Sequence, residues 1–246
     1  MKQFNLHHPG RDTNAGNTLF SYVFARAYCE RHGLDLRTDP WWGEKAFGLQ
    51  HGPIERELPR RDENSLDPSG EGDVSFRSYC QHQKCLIYTR QQAREWLRFV
   101  PSLEAYLREL PIYNDSVVAH LRRGDYLGSG YPCPSVASYE RVAASLIATQ
   151  GHGTLHWVTE SDPLPHTGLP DNFSFLPDFY RLMVAPILLR ANSTFSWWAA
   201  VLAIHQRVYA PIIEGLEGGK EHDCEWVEGN WPRLANLHFT TDLHLE

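Results

Sequence analysis

The sequence predicts an α/β fold with parallel sheets, and three observations carry that expectation. Between residues 116 and 213, short apolar runs alternate with stretches of helical length. Strands interleaved with helices in this way form βα units, whose crossover connections impose parallel pairing. At 246 residues the chain is long enough to bury one large core or two smaller ones. Hydrophobic residues make up 42% and charged residues 22%, a globular balance that excludes a disordered or fibrous chain.

The elements follow in order. HHPGRDTNAGN (7–17) is turn-rich and reads as a loop that delivers backbone N–H groups to a helix start. In GNTLFSYVFARAYCERHG (16–33), Leu19, Phe20, Val23, Phe24, Ala27 and Tyr28 recur at helical spacing, and Gly33 ends the helix. Residues 41–73 are rich in Gly, Pro and charge and read as irregular connections, mobile around 60–73. Residues 85–110 read as a short strand, then a helix carrying Trp96, Phe99, Leu103, Tyr106 and Leu110 on one side until Pro111 breaks it. Beyond that come a strand at 116–122, a helix at 138–150 and a strand at 154–161. A strand-like run at 173–178, helices at 178–191 and 195–205, and a strand at 207–213 complete the pattern. No internal repeat is present.

The formal charge of −7 argues against a broad nucleic-acid surface, so any bound anion must be met by a local cluster. The N-terminal MKQFNLHHPGRD lacks the apolar centre of a signal peptide, and no run of about 18 apolar residues occurs. These features predict a soluble, cytoplasmic protein without a transmembrane segment, with any membrane association only peripheral. Five scattered cysteines fit a reducing compartment. Cys80 and Cys85 are not followed by a second pair at ligand spacing, so a zinc site is not expected. Thirteen histidines and eight tryptophans suit either an aromatic-lined pocket or ordinary core packing, and composition leaves both open.

VVAHLRRGDYL (117–127) places His120, Arg122, Arg123 and Asp125 around Gly124 at the end of a buried-looking strand. One reading is a solvated turn in which Arg123 pairs with Asp125; the other is an anion site. Open α/β sheets bind ligands beyond the carboxyl ends of their strands, where His120, Arg122, Glu160 and Asp162 all fall. In NSTFSWW (192–198), Asn192, Ser193 and Thr194 precede an apolar helix. They serve either as a plain N-cap or as donors to an anion at the helix terminus, with Trp197 and Trp198 as core. In WVTESDP (157–163), Asp162 either caps a turn before Pro163 or accepts paired hydrogen bonds from a ligand, while Glu160 faces the same pocket or the back of the sheet.

HLRRGDY (120–126), ANSTFSWWAA (191–200) and GNTLFSYVFARA (16–27) together resemble the three signature segments of the inverting α-1,2-fucosyltransferases (glycosyltransferase family 11), and they occur in the family's order. The chain departs from that pattern at Thr13 and Asn14, where glycines are usual, and at Thr18, where a glutamine is usual. The resemblance implies a GT-B fold of two Rossmann-like domains with parallel sheets. Residues 1–111 would form the acceptor side and 112–246 the nucleotide-sugar side. It also implies transfer of L-fucose from GDP-fucose to the 2-hydroxyl of a terminal galactose on a glycan, with inversion and with no metal or other cofactor.

Within that frame the departing diphosphate needs fixed cations and donors. Arginine supplies a permanent, bidentate charge, which makes Arg122 the first candidate for the clamp. The resemblance adds Ser193, Thr194 and Phe195 at the phosphates, Asp162 and His120 at guanine, and Gly16 and Asn17 near sugar and acceptor. Arg122, Asp125 and Asn17 are the expected catalytic residues. A general base could be Asp125, Glu160 or Asp12, or the leaving phosphate could take the proton itself. Two alternatives stand beside this reading: a fucosyltransferase of other linkage, α-1,6 or O-linked, and a non-catalytic GDP-sugar-binding protein.

Overall fold

A computed structural model describes residues 1–8, 15–111, 116–124, 126, 134–150, 153–161, 163, 169–203, 207–213 and 235–239. The chain divides into two compact units, with a boundary between Ala105 and Tyr106.

In the first unit, β1 (Gln3–Leu6) leads to α1 (Ala15–His32), β2 (Asp35–Thr38), α2 (Trp42–Phe47) and β3 (Gly52–Pro53). Then follow β4 (Arg60–Arg61), β5 (Val74–Phe76), α3 (Arg90–Trp96) and α4 (Pro101–Arg108), the last crossing the boundary. The strands form one parallel sheet in the order β3-β2-β1-β5-β4. Phe4 and Leu6 of the central strand are fully buried, and the Phe4 ring meets Tyr28 and Phe76 at 5.3 Å each. Helix α1 buries residues on nearly every side, which makes it a core helix with little amphipathic contrast. It ends where Gly33 takes φ 63° and Leu34 N–H reaches back to the Cys29 carbonyl at 3.0 Å, a left-handed closure that glycine adopts without penalty.

In the second unit, β6 (Val117–Leu121), α5 (Val136–Gln150), β7 (Leu155–Thr159), α6 (Leu176–Val184), β8 (Ile187–Leu189), α7 (Thr194–Leu202), β9 (Arg207–Ile213) and β10 (Ala235–Phe239) follow one another. Their sheet runs β10-β9-β8-β6-β7, again wholly parallel. Val117, Ala119, Ile187 and Leu189 pack with Tyr139 and Ala143 of α5. Successive strand residues alternate faces, so Val118, His120, Leu188 and Arg190 turn the other way. The chain leaves β6 toward β7 on one side and returns to β8 on the other. The strand order therefore reverses between β6 and β8, and that reversal is the topological switch point where sheets of this kind bind ligands.

Several sequence expectations are corrected here. The run at 173–178 is not a strand: Leu176 already begins α6. The helix expected over 178–191 stops at Val184, because Pro186 cannot donate to the helical ladder, and Ile187–Leu189 becomes a central strand. Three consecutive apolar residues buried on both faces carry no period that separates strand from helix. At 85–110 there is no leading strand, and the single helix is two, the second opening on Pro101 at its first position. The stretch 41–73 contains α2, β3 and β4 rather than only irregular chain.

Leu188 lies fully buried in the middle of the second sheet. Leu188→Ala should cost about 2–5 kcal/mol of unfolding free energy, read from the midpoint of chemical denaturation. A loss near zero would show that β8 is not a central, packed strand.

Candidate active site

The second sheet's switch point is built from two strand ends. The β6–β8 register pairs Ala119 with Leu189, so His120 and Arg190 each follow the last paired residue of neighbouring parallel strands. Both are buried, at 3% and 1% exposure. Arg190 is fixed by its backbone: its N–H donates to Tyr209 O at 2.8 Å, and its carbonyl accepts the Tyr139 hydroxyl at 3.0 Å. Burial pushes the His120 imidazole down to about 3, and the Arg122 and Arg190 guanidiniums push it the same way. His120 is thus a neutral hydrogen-bonding group at physiological pH. Among the described residues, its Nδ1 and the Asn192 Oδ1 are buried without a hydrogen-bond partner. Polar atoms in that state at a strand terminus are points that a bound ligand can satisfy.

Arg122 leaves the end of β6 and forms an ion pair with Glu160, which follows the adjacent strand β7. Its guanidinium also lies over the Tyr126 ring at 5.3 Å. Glu160 therefore faces Arg122 rather than the back of the sheet. Gly124 belongs to the same contact: a side chain there would run into the Glu160 carboxylate and push it off Arg122. The glycine inside the RRGD run is what lets the acid approach.

Asn192 and Ser193 sit between β8 and α7. Ser193 is the N-cap of α7, extended at φ −150° and ψ 135°, with its Oγ accepting Phe195 N–H at 3.3 Å. Ser196 Oγ donates back to the Ala191 carbonyl at 3.3 Å and fixes the turn. The first-turn amides of such a helix have no intrahelical acceptor, and its dipole favours an anion. Thr194 is half-buried at the first helical position. The Phe195 ring meets His120 at 5.6 Å, Phe179 at 5.1 Å and Phe175 at 6.1 Å, so its observed contacts buttress the histidine. Trp197 and Trp198 are core.

The fold therefore gathers His120, Arg122, Glu160, Ser193, Thr194 and Phe195 at one end of adjacent strands. Asp125, Asp162 and Asp12 lie outside the described residues, as do Thr13 and Asn14. Gly16 and Asn17 belong to the first unit, in the first turn of α1. Gly16 is buried, and Asn17 Oδ1 accepts from Gln81 Nε2 at 2.8 Å.

Sequence reasoning missed Arg190, which the misassigned helix over 178–191 concealed. It also passed over the carboxyl ends of β1 and β2. There His7 Nδ1 meets Asp39 at 3.0 Å, and His8, pushed down to about 4 chiefly by burial, lies 5.1 Å from the Trp41 ring. A separate cleft of about 540 Å³ in the first unit is lined in part by Arg26, Glu30, Asp35, His51, Glu95 and Trp96. Arg26 lies 4.8 Å over the Trp96 ring there.

His120 stays neutral in the folded protein down to about pH 3, whereas an exposed histidine protonates near about 6.5. The unfolded chain thus binds more protons below that point. The stability contribution is complete above about pH 6.5 and falls as the pH drops, by about 1.4 kcal/mol per unit from this residue. His120→Asn should flatten the dependence of unfolding free energy on pH between 7 and 5 by about one proton. An unchanged slope would show that His120 titrates alike in both states.

No protein-family model matches the sequence, and no curated protein matches it. Solved structures do. The NodZ alpha-1,6-fucosyltransferase soaked with GDP-fucose superposes with a TM-score of 0.51 at 14% identity, covering 82% of this chain and 93% of that one. The fucosyltransferase NodZ from Bradyrhizobium gives a TM-score of 0.52 at 14% identity, over 82% and 94%. POFUT1 in complex with GDP gives 0.49 at 10% identity, over 85% and 98%. Among the described residues no helix is long and apolar enough to cross a membrane. The fold, two units each built on a parallel sheet, is that of the GT-B fucosyltransferases.

Proposed function

We propose that the protein transfers L-fucose from GDP-fucose to the 2-hydroxyl of a terminal galactose on a glycan, with inversion. One observation carries the reading. The two segments that resemble the α-1,2-fucosyltransferase signatures, HLRRGDY and ANSTFSWWAA, start side by side at the switch point of the second sheet. The linkage rests on that resemblance.

In the proposed reaction the acceptor hydroxyl oxygen bonds to C1 of fucose as the bond from C1 to the phosphate oxygen breaks, and GDP departs. Negative charge grows on the diphosphate during this step. Arg122, Arg190 and the donors at the start of α7, with Ser193 and Thr194 among them, stabilise it from positions that need little reorganisation once Arg122 is opened from or shared with Glu160. Glu160 keeps the Arg122 guanidinium in place before the donor arrives. His120, being neutral, acts as a hydrogen-bonding contact to the nucleotide, with Asp162 as the guanine reader. The assignment of Gly16 and Asn17 to sugar and acceptor rests on the resemblance of GNTLFSYVFARA alone. The proton of the hydroxyl passes to Asp125, Glu160 or Asp12, or to the departing phosphate. This chemistry requires no metal.

A second reading is transfer with another linkage, α-1,6 or O-linked, favoured by the His-x-Arg-Arg element those enzymes share. The departures at Thr13, Asn14 and Thr18 favour a third, a protein that binds the GDP-sugar without transferring it.

Calorimetric titration with GDP-fucose, GDP-mannose and UDP-galactose should show binding of the GDP-sugars and preference for GDP-fucose; failure with both GDP-sugars would reject the nucleotide assignment. With GDP-fucose and lactose, mass spectrometry should find a fucosylated trisaccharide whose linkage is 2-O on galactose. A product with another linkage selects the second reading, and donor binding without turnover on a panel of galactosides selects the third. Arg122→Ala should lower turnover about 10²–10³-fold, and near-normal turnover would remove Arg122 from the phosphate clamp.

A further inference from the structure

The first unit holds a cluster that the proposed reaction does not use. Cys80 and Cys85 are each 1% exposed, and the carboxylate of Glu63 closes on them. The ligand atoms of the three residues all lie within 4.8 Å of one another. Ideal tetrahedral zinc coordination, with Zn–S about 2.3 Å and Zn–O about 2.0 Å, places ligand atoms about 3.5–3.8 Å apart. A bound ion would draw the three ligand atoms from within 4.8 Å of one another to that spacing.

Three segments build it. The Asp62 carboxylate accepts the Asn64 and Ser65 amides at 2.9 Å each and sets the turn that presents Glu63. The Glu63 side chain is only 9% exposed; one carboxylate oxygen accepts the Ser78 hydroxyl and the Cys80 amide, the latter at 3.0 Å. Its other oxygen meets His82 Nε2 at 3.3 Å, and His82 stands half-exposed at the rim. Cys80 takes φ 53°, and Cys85 N–H donates to the His82 carbonyl at 2.8 Å, which turns the second sulfur back toward the first.

We propose that Glu63, Cys80 and Cys85 bind a thiophilic divalent cation of the zinc class, with His82 or water in the fourth position. A buried carboxylate packed against two buried thiols is an anionic site whose ionised form needs a cation beside it. The nearby Lys84 Nζ is bonded to Asn64 Oδ1 at 2.6 Å. On binding, two thiol protons are released, and two thiolates and one carboxylate coordinate the ion. The spacing of Cys80 and Cys85 alone could not reveal such a site, because Glu63 lies 17 residues before Cys80. The inference is independent of the proposed reaction and concerns the stability of the first unit.

The test uses the full chain, purified with a reductant and dialysed against zinc chloride and then against metal-free buffer. Elemental analysis should find about one zinc per chain. Alkylation followed by peptide mass spectrometry should show Cys80 and Cys85 protected by zinc and exposed after chelation. Cobalt(II) titration should produce the near-ultraviolet thiolate-to-metal charge-transfer band, absent from Cys80→Ser and reduced in Glu63→Gln. A melting temperature that falls on chelation in the wild type but not in Cys85→Ser completes the expected pattern. Because the alkylation measurement and the cobalt band of the wild type use unaltered protein, a variant that fails to fold does not blunt them. Reduced thiols that bind no stoichiometric metal would overturn the proposal, as would a Cys80–Cys85 disulfide in protein purified without reductant and resistant to zinc.

Discussion

The arrangement of the second unit depends on one topological constraint: the reversal of strand order between β6 and β8. Central strands of a parallel sheet are covered on both faces and admit apolar residues almost alone. Val117 to Ala119 and Ile187 to Leu189 obey that rule, and all of them are buried. Polar chemistry can begin only where the strands end. At the reversal the crossovers leave in opposite directions, so the two carboxyl ends stay open side by side rather than being roofed by one connection. His120, Arg122, Arg190, Asn192 and Ser193 occupy those ends.

That constraint also shapes the electrostatics. The chain carries a net charge of −7, so a site for a dianionic diphosphate cannot rely on the overall field. Burial keeps His120 neutral, the two guanidiniums near it act in the same direction, and the helix terminus at Ser193 adds donors without adding charge. Glu160 offsets Arg122 when no anion is bound, and Gly124 leaves room for it. An arginine held in this way needs little reordering to engage an anion, although the anion must compete with the carboxylate.

Much of this was legible in the sequence, and the failures have physical causes. The βα alternation from 116 onward announced the parallel sheet, and the strand at 207–213 lies as expected. The capping residues Asn192 to Thr194 marked the start of α7 because short polar side chains compete for backbone amides. Ile187 to Leu189 was absorbed into a helix because continuous burial erases periodicity, and Arg190 was lost with it. In the first unit the strands are two to four residues long, too short to alternate visibly, and Glu44, Arg60 and Arg61 made their neighbourhood read as loop. The Arg122–Glu160 pair was beyond reach because it joins adjacent strand ends separated by a whole helix. The sites proposed at Asp125 and Asp162 rest on sequence alone.

The central claim is that HLRRGDY and ANSTFSWWAA form one anion site for the diphosphate of a GDP-sugar. The most direct measurement is a crystal structure of the protein with GDP. The account predicts both phosphates at the β6–β8 switch point, within hydrogen-bonding distance of Arg122 and of donors from Ser193 or Thr194, with the Arg122–Glu160 pair opened or shared. GDP bound elsewhere, or phosphates touching only one of the two segments, would contradict it.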